Sequence, residues 1–216
     1  RRTYELGYEY VGVSDHSKTA VYANGLSAER VKKQHKEIDL LQKKFKKIRI
    51  FRGTESDILA DGSLDYSDEV LKTFDFVIGS IHSRFHMPER EMTKRICRAM
   101  EHPAMTILGH PTGRLLLGRA GYSLDYAAVF ETAKKYGVAI ELNANPHRLD
   151  LDWRFCKKAK GEGARVSINP DAHSVEGLSD VRFGAGIARK GWLEKGDVFN
   201  TMSAGEMEKF LARRKE

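Results

Sequence analysis

Five apolar runs in this chain each lead into a side chain that can bind a metal. Phe76-Val77-Ile78 passes through Gly79-Ser80-Ile81 into His82, and Val11-Gly12-Val13 passes through Ser14-Asp15 into His16. Thr106-Ile107-Leu108-Gly109 precedes His110. Val166-Ser167-Ile168-Asn169-Pro170 precedes Asp171 and, two residues on, His173. Ile48-Arg49-Ile50-Phe51-Arg52-Gly53 runs towards Glu55. Such short β-rich runs have the composition of buried strands. One histidine after one strand is more often a hydrogen-bonded structural residue than a ligand. Repeated five times, the pattern calls for a fold that brings many strand ends to one place.

The segments between the runs are helical in pattern. Residues 1–7 read as a helix end stopped by Gly7, followed by a strand over 10–13. Leu26 to Phe45 reads as a long helix with Ser27 as N-cap and an apolar stripe of Val31, Ile38, Leu41 and Phe45. Ile48 to Phe51 is the next strand, Asp61-Gly62 a turn and Ser67 to Thr73 a short helix. A strand over 76–81 precedes a helix that starts near Pro88 and runs to about Glu101. Strands over 105–108, 138–142 and 165–168 enclose helices over 125–136, closed by Gly137, and 153–160. Helices over 179–190 and 204–214 end the chain. Six strands alternating with helices imply a parallel sheet. An open doubly wound sheet and a closed barrel both fit the alternation. The ligands favour the barrel, whose strand ends ring one mouth, whereas an open sheet spreads them along a line.

The 216 residues can bury a full core as one large domain or two small ones. Charged residues make up 31% and hydrophobic ones 41%, a soluble globular composition. No run approaches the roughly 20 apolar residues that span a bilayer, so no membrane partner is expected. No signal peptide is visible, and the isolated Cys97 and Cys156 suit reduced thiols in the cytoplasm. The net charge is +7, and Lys32, Lys33, Lys36, Lys43, Lys44, Lys46 and Lys47 crowd one helix, with Arg213, Arg214 and Lys215 at the end of the chain. Nucleic acid is the partner such a surface suits, although a solvated lysine-rich face explains the charge alone more simply.

His16, Glu55, His82, His110, Asp171 and His173 form the candidate metal cluster. Imidazole with carboxylate suits Zn²⁺, Mn²⁺ or Fe²⁺ and disfavours a pure Mg²⁺ or Ca²⁺ site. So many ligands, with a carboxylate able to bridge, point to more than one metal, and paired metals suit phosphoryl chemistry. His35 is expected to face solvent on the lysine-rich helix, and His86, His102 and His147 to lie in loops or at helix ends. Arg84, Arg114 and Arg148 follow strands and could grip phosphate by paired hydrogen bonds. Salt bridges at a barrel rim explain them equally well. Asn143 and Asn145 either orient ligands or build a turn. Asp57 to Asp68 has the Asp-Gly of a calcium loop, but Leu59 and Asp68 stand where an acceptor and a Glu are needed. Gly184-Ala185-Gly186 follows no strand and lacks the third glycine of a dinucleotide site, and no Gly-x-Ser-x-Gly is present.

The sequence carries the motifs Ser14-Asp15-His16-Ser17, Ala23-Asn24-Gly25-Leu26-Ser27, Asp61-Gly62-Ser63-Leu64-Asp65-Tyr66, Gly109-His110-Pro111-Thr112-Gly113-Arg114 and Asn145-Pro146-His147-Arg148-Leu149-Asp150-Leu151. Along nearly the whole chain they resemble the polymerase and histidinol phosphatase superfamily of metal-dependent phosphoesterases. Ala188-Arg189-Lys190-Gly191-Trp192-Leu193 adds a resemblance to the C-terminal domain of bacterial and archaeal family X DNA polymerases. The resemblance implies a distorted seven-stranded (β/α) barrel around two to three divalent metals, Mn²⁺ or Zn²⁺, with Fe²⁺ an option. Glu55 would bridge. Glu55, His82 and His110 would hold one ion, Glu55 and Asp171 a second, and His16 and His173 a third.

The superfamily opens with His-x-His after its first strand and one further ligand, and none of the three is in this sequence. A barrel without its first strand is therefore expected, with two free edges, two ligands missing from the second site and one from the third. The chain starts with Arg1, not Met, and upstream sequence carrying a polymerase domain is expected. Pro170 also departs from the small residue usual before the aspartate. The function implied is a phosphodiesterase acting on DNA 3′ ends, a 3′–5′ exonuclease or end-processing activity. Metal-bound hydroxide would attack phosphorus in line. A small-molecule phosphatase of the histidinol-phosphate type is the alternative. A metal-poor structural or DNA-docking module is a third, which metal analysis would discriminate.

Overall fold

The computed structural model describes residues 1–213 and places six parallel strands in one sheet, in chain order. They are β1 (Tyr10–His16), β2 (Arg49–Asp57), β3 (Phe76–Ser80), β4 (Met105–Leu108), β5 (Ala139–Asn143) and β6 (Val166–Asn169). The helices are α1 (Arg2–Glu5), α2 (Ala28–Lys44), α3 (Asp68–Leu71), α4 (Glu89–Met100), α5 (Tyr126–Tyr136), α6 (Trp153–Glu162), α7 (Val181–Lys190) and α8 (Ala204–Arg213). The order β1-β2-β3-β4-β5-β6 never reverses, so the sheet lacks the switch point of a doubly wound fold. It curls into a half-barrel that stays open between β1 and β6. No helix among the described residues is long and apolar enough to cross a membrane.

Local chemistry fixes the helix ends. Ser27 accepts from Arg30 N, Asp125 from Ala127 N and Ala128 N, and Asp152 from Arg154 N, each satisfying an amide the helix leaves free. Gly137 and Gly163 close α5 and α6 with left-handed backbone, which glycine adopts without steric cost.

Alternation along the strands divides the sheet into two faces. On the outer face Val77, Leu108, Ile140, Leu142 and Val166 pack with helix residues such as Met92, Ile96, Phe130 and Cys156. On the inner face Phe51, Phe76, Ile78, Ile107 and Ala139 pack with Phe199 and with Met207 and Leu211 of α8. Each large side chain buried this way contributes about 1.5–3 kcal/mol. Glu55 lies four residues beyond Phe51 on the same face, and Glu141 and Asn143 two and four beyond Ala139. The interior is therefore apolar where strands enter and polar where they leave.

Three expectations change. Strand β2 continues from Phe51 to Asp57, so Glu55 is within the strand rather than after it. Its polar residues find partners there: Thr54 Oγ1 donates to Asp15 O at 3.1 Å and Ser56 Oγ accepts from Asp65 N at 3.0 Å. His35, expected in solvent, is 9% exposed and meets Phe74 edge-on at 5.0 Å. The buried stripe of α2 is Val31, His35 and Ile38, while Leu41 is exposed. Helix α8 reaches Arg213, and the expected Arg214 and Lys215 lie outside the described residues.

Candidate metal centre

Parallel pairing brings the first ligands together. The register sets His16 of β1 opposite Glu55 of β2, and Asp57 opposite Ser80 of β3. His82 follows β3 by two residues and so returns over Asp57. His110 follows β4 by two residues and approaches from the other side. Glu55 Oε1 is 3.0 Å from His110 Nε2 and 3.3 Å from His82 Nε2, and the two Nε2 atoms are 3.2 Å apart. His82 Nδ1 donates to Asp57 Oδ1 at 2.7 Å. His16 Nδ1 is buried without a hydrogen bond, 3.6 Å from Glu55 Oε2.

Among the described residues two groups offer converging ligand atoms: Glu55 with His82 and His110, and His16 with Asp57 and His82. Asp171 and His173 line the same cavity, of about 1180 Å³, but fall in neither group. Asp171 Oδ2 accepts from Asn143 Nδ2 at 3.1 Å and lies 3.5 Å from Arg148 Nε. His173 stays close to Asp171, its Nδ1 bonding Asp171 O at 2.9 Å, yet its ring is exposed.

The arginines differ from one another. Arg148 keeps Nη1 buried without a hydrogen bond, and its Nε lies 3.5 Å from Asp171, which lines the cavity. Arg114 is committed within the protein: Nε donates to Arg148 O at 2.9 Å, Nη2 to Leu149 O, and Nη1 lies 3.4 Å from Asp152. Arg84 is exposed. His86 and His147 are exposed, and His102 Nε2 lies 3.2 Å from Asp68. Asn145 caps its own turn, accepting from His147 N.

Three residues of the site were not singled out in the sequence. In the sequence Asp57 stands out only as the start of a stretch that fails as a calcium loop. Glu141 is buried and accepts from His110 N at 2.5 Å, Asn169 Nδ2 at 2.8 Å and Asn143 Nδ2 at 3.2 Å. A carboxylate inside the apolar run Val138-Ala139-Ile140-Glu141-Leu142 was its signal. Tyr22 stands at the mouth, its ring 6.0 Å from His16 and 6.2 Å from His82. His110 and Asp171 both have positive φ, 22° and 50°, a conformation costing about 1–3 kcal/mol that clusters at functional sites.

Electrostatics suit a cation. Burial opposes charge on Glu55, but hydrogen bonds with His110 and His82 hold its carboxyl well below the usual range. Burial would lower the His82 pKa, yet Asp57 and Glu55 outweigh it and raise it to about 9. Burial pushes Glu141 up to about 7. The donor set fits a divalent metal: Asp57 accepts the hydrogen bond from His82 Nδ1, leaving Nε2 to face Glu55 and His110, and His16 Nδ1 has no hydrogen bond to satisfy it.

No family model matches the sequence. The chain is 48% identical over 207 residues to the DNA polymerase/3′-5′ exonuclease PolX of Bacillus subtilis, covering 96% of this chain and 36% of that protein. It thus spans about a third of the length of that relative. It is 26% identical to a probable phosphatase of Thermoanaerobacter sp. over its full length and 86% of the relative. Its fold is similar to that of histidinol phosphate phosphatase from Lactococcus lactis, solved with zinc, L-histidinol and phosphate. The TM-score is 0.61 at 16% identity, over 89% of this chain and 86% of that one. The chain is thus similar in sequence to both kinds of relative and in fold to the Lactococcus phosphatase. The open half-barrel agrees with that fold lacking a strand.

Proposed function

We propose that this chain is a metal-dependent phosphodiesterase acting on DNA 3′ ends, as a 3′–5′ exonuclease or end-processing domain beside a polymerase domain of the same polypeptide. The observation that carries the reading is the convergence of Glu55 Oε1, His82 Nε2 and His110 Nε2 within 3.0–3.3 Å of one another. These three would hold one divalent ion, Mn²⁺ or Zn²⁺. His16, Asp171 and His173 would serve further ions. Bound there, such ions offset phosphoryl charge and lower the pKa of water.

The chain's own residues orient and bind. Asp57 fixes the His82 tautomer, Glu141 holds the His110 backbone, and Arg148 offers its unpartnered Nη1 to a phosphate oxygen. The exposed lysines of α2 and the net charge of +7 suit a DNA backbone. The name of the Bacillus relative supports DNA as the substrate.

A small-molecule phosphatase is the second reading, favoured by the fold shared with the Lactococcus phosphatase. The test is hydrolysis of 5′-labelled single-stranded DNA and of histidinol phosphate with added Mn²⁺. Shortening of DNA that is lost in His82→Ala, with the fold kept by circular dichroism, is the expected result. Phosphate release from the small ester with DNA untouched favours the phosphatase, and activity retained in His82→Ala rejects the metal centre.

A further inference from the structure

Tyr22 is 71% exposed, and packing does not explain why an aromatic ring is held there. It sits edge-on to His16 and His82, two ligands of the candidate centre. The loop carrying it is fixed from below. Thr19 Oγ1 donates to Asp57 at 2.9 Å and Thr19 N to Asp65 at 2.8 Å. Tyr66 OH donates to Leu26 O at 2.6 Å. Ala20 is fully buried, and Gly25 passes so close to Ser17 O that a Cβ would stand 1.9 Å from it. Asn24, with φ 54°, turns the chain back, and its carbonyl and side chain both accept from Arg30 Nη1 at 3.0 Å. A rigid loop thus presents a solvated ring at the mouth of a charged cavity.

We propose that Tyr22 is a substrate-positioning residue whose ring stacks on the terminal nucleobase of the nucleic acid strand entering the centre. The inference rests on the phosphodiesterase reading and adds that the site recognises a base as well as a phosphate. An aromatic ring stacks on any base, so the contact tolerates sequence and favours an unpaired end.

The experiment compares this chain with Tyr22→Phe and Tyr22→Ala on two single-stranded oligonucleotides, one with a 3′-terminal base and one with a 3′-terminal abasic residue. Stacking predicts that Tyr22→Ala lowers kcat/KM about tenfold on the base-bearing end and leaves the abasic end unchanged, while Tyr22→Phe keeps both rates. A 3′-terminal 2-aminopurine, bound without added metal, is expected to lose fluorescence with the parent chain and Tyr22→Phe but not with Tyr22→Ala. Equal loss on both ends, no loss, or a Tyr22→Phe defect as large as that of Tyr22→Ala overturns the stacking role and leaves the phosphodiesterase reading standing. A parent chain that shortens neither oligonucleotide overturns both.

Discussion

Asp57 Oδ1 accepts a hydrogen bond from His82 Nδ1 at 2.7 Å, and that bond decides which nitrogen of His82 faces Glu55 and His110. Replacing Asp57 with Asn weakens the acceptor while keeping the shape. Divalent-metal affinity is expected to fall about 10–100-fold, the usual cost of losing such a partner. Isothermal titration with Mn²⁺ checks it. A drop of one ion per chain, with the remaining affinity unchanged, would make Asp57 a ligand instead.

The same bond gives the metal-free protein a pH signature. The His82 pKa, raised to about 9, lies above its ordinary value of 6.5. Its stabilising contribution is complete below 6.5 and is lost as pH rises through 9. A divalent ion binding at Nε2 must displace the proton there, while Nδ1 keeps its bond to Asp57. Affinity should therefore rise with pH up to about 9, with about one proton released per ion at pH 7. Titrations in buffers of different ionisation enthalpy measure that release, and a pH-independent affinity would contradict it.

The strand ends were legible because each combined a β-rich run with a ligand-type residue, as in Met105-Thr106-Ile107-Leu108 before His110. Asp57 and Glu141 were not, for different reasons. Asp57 lies in a polar stretch whose strand character depends on partners from elsewhere, such as Asp65 N on Ser56 Oγ. Glu141 stands in an apolar run where only the fold shows that it supports His110. His35 was misplaced because its neighbours are lysines, while Phe74, which buries it, is distant in sequence.

Arg95 shows how far from the centre its support extends. It is 2% exposed on α4, and its guanidinium donates to Leu59 O at 2.8 Å, Ser83 O at 3.0 Å and Ile58 O. It ties the turn after β2 to the turn that carries His82. Arg95→Met keeps the apolar stem but strips those carbonyls of their donor. A loss of about 3 kcal/mol is expected, from buried acceptors left unpaired. Chemical denaturation checks it, and a change below about 0.5 kcal/mol, the range of ordinary surface substitutions, would mean that water replaces the guanidinium.

Phe76 lines the same cavity as Glu55, and Gly53 and Gly12 pack against its ring. A Cβ on Gly53 would stand 2.2 Å from Phe76 Cζ, and one on Gly12 2.6 Å from the same atom. The ring therefore fills space that two glycines leave open. Gly53→Ala forces it to move and is expected to destabilise the fold by about 1–3 kcal/mol, as overpacking does. Adding Phe76→Leu removes the clashing edge, so the double variant should be more stable than the sum of the two single changes predicts. Strict additivity in a double-mutant cycle would show that the glycine serves the backbone rather than the ring. Glu55 lies two residues beyond Gly53 on the same face, so a backbone shift there should also weaken metal binding, whereas ring movement alone should spare it.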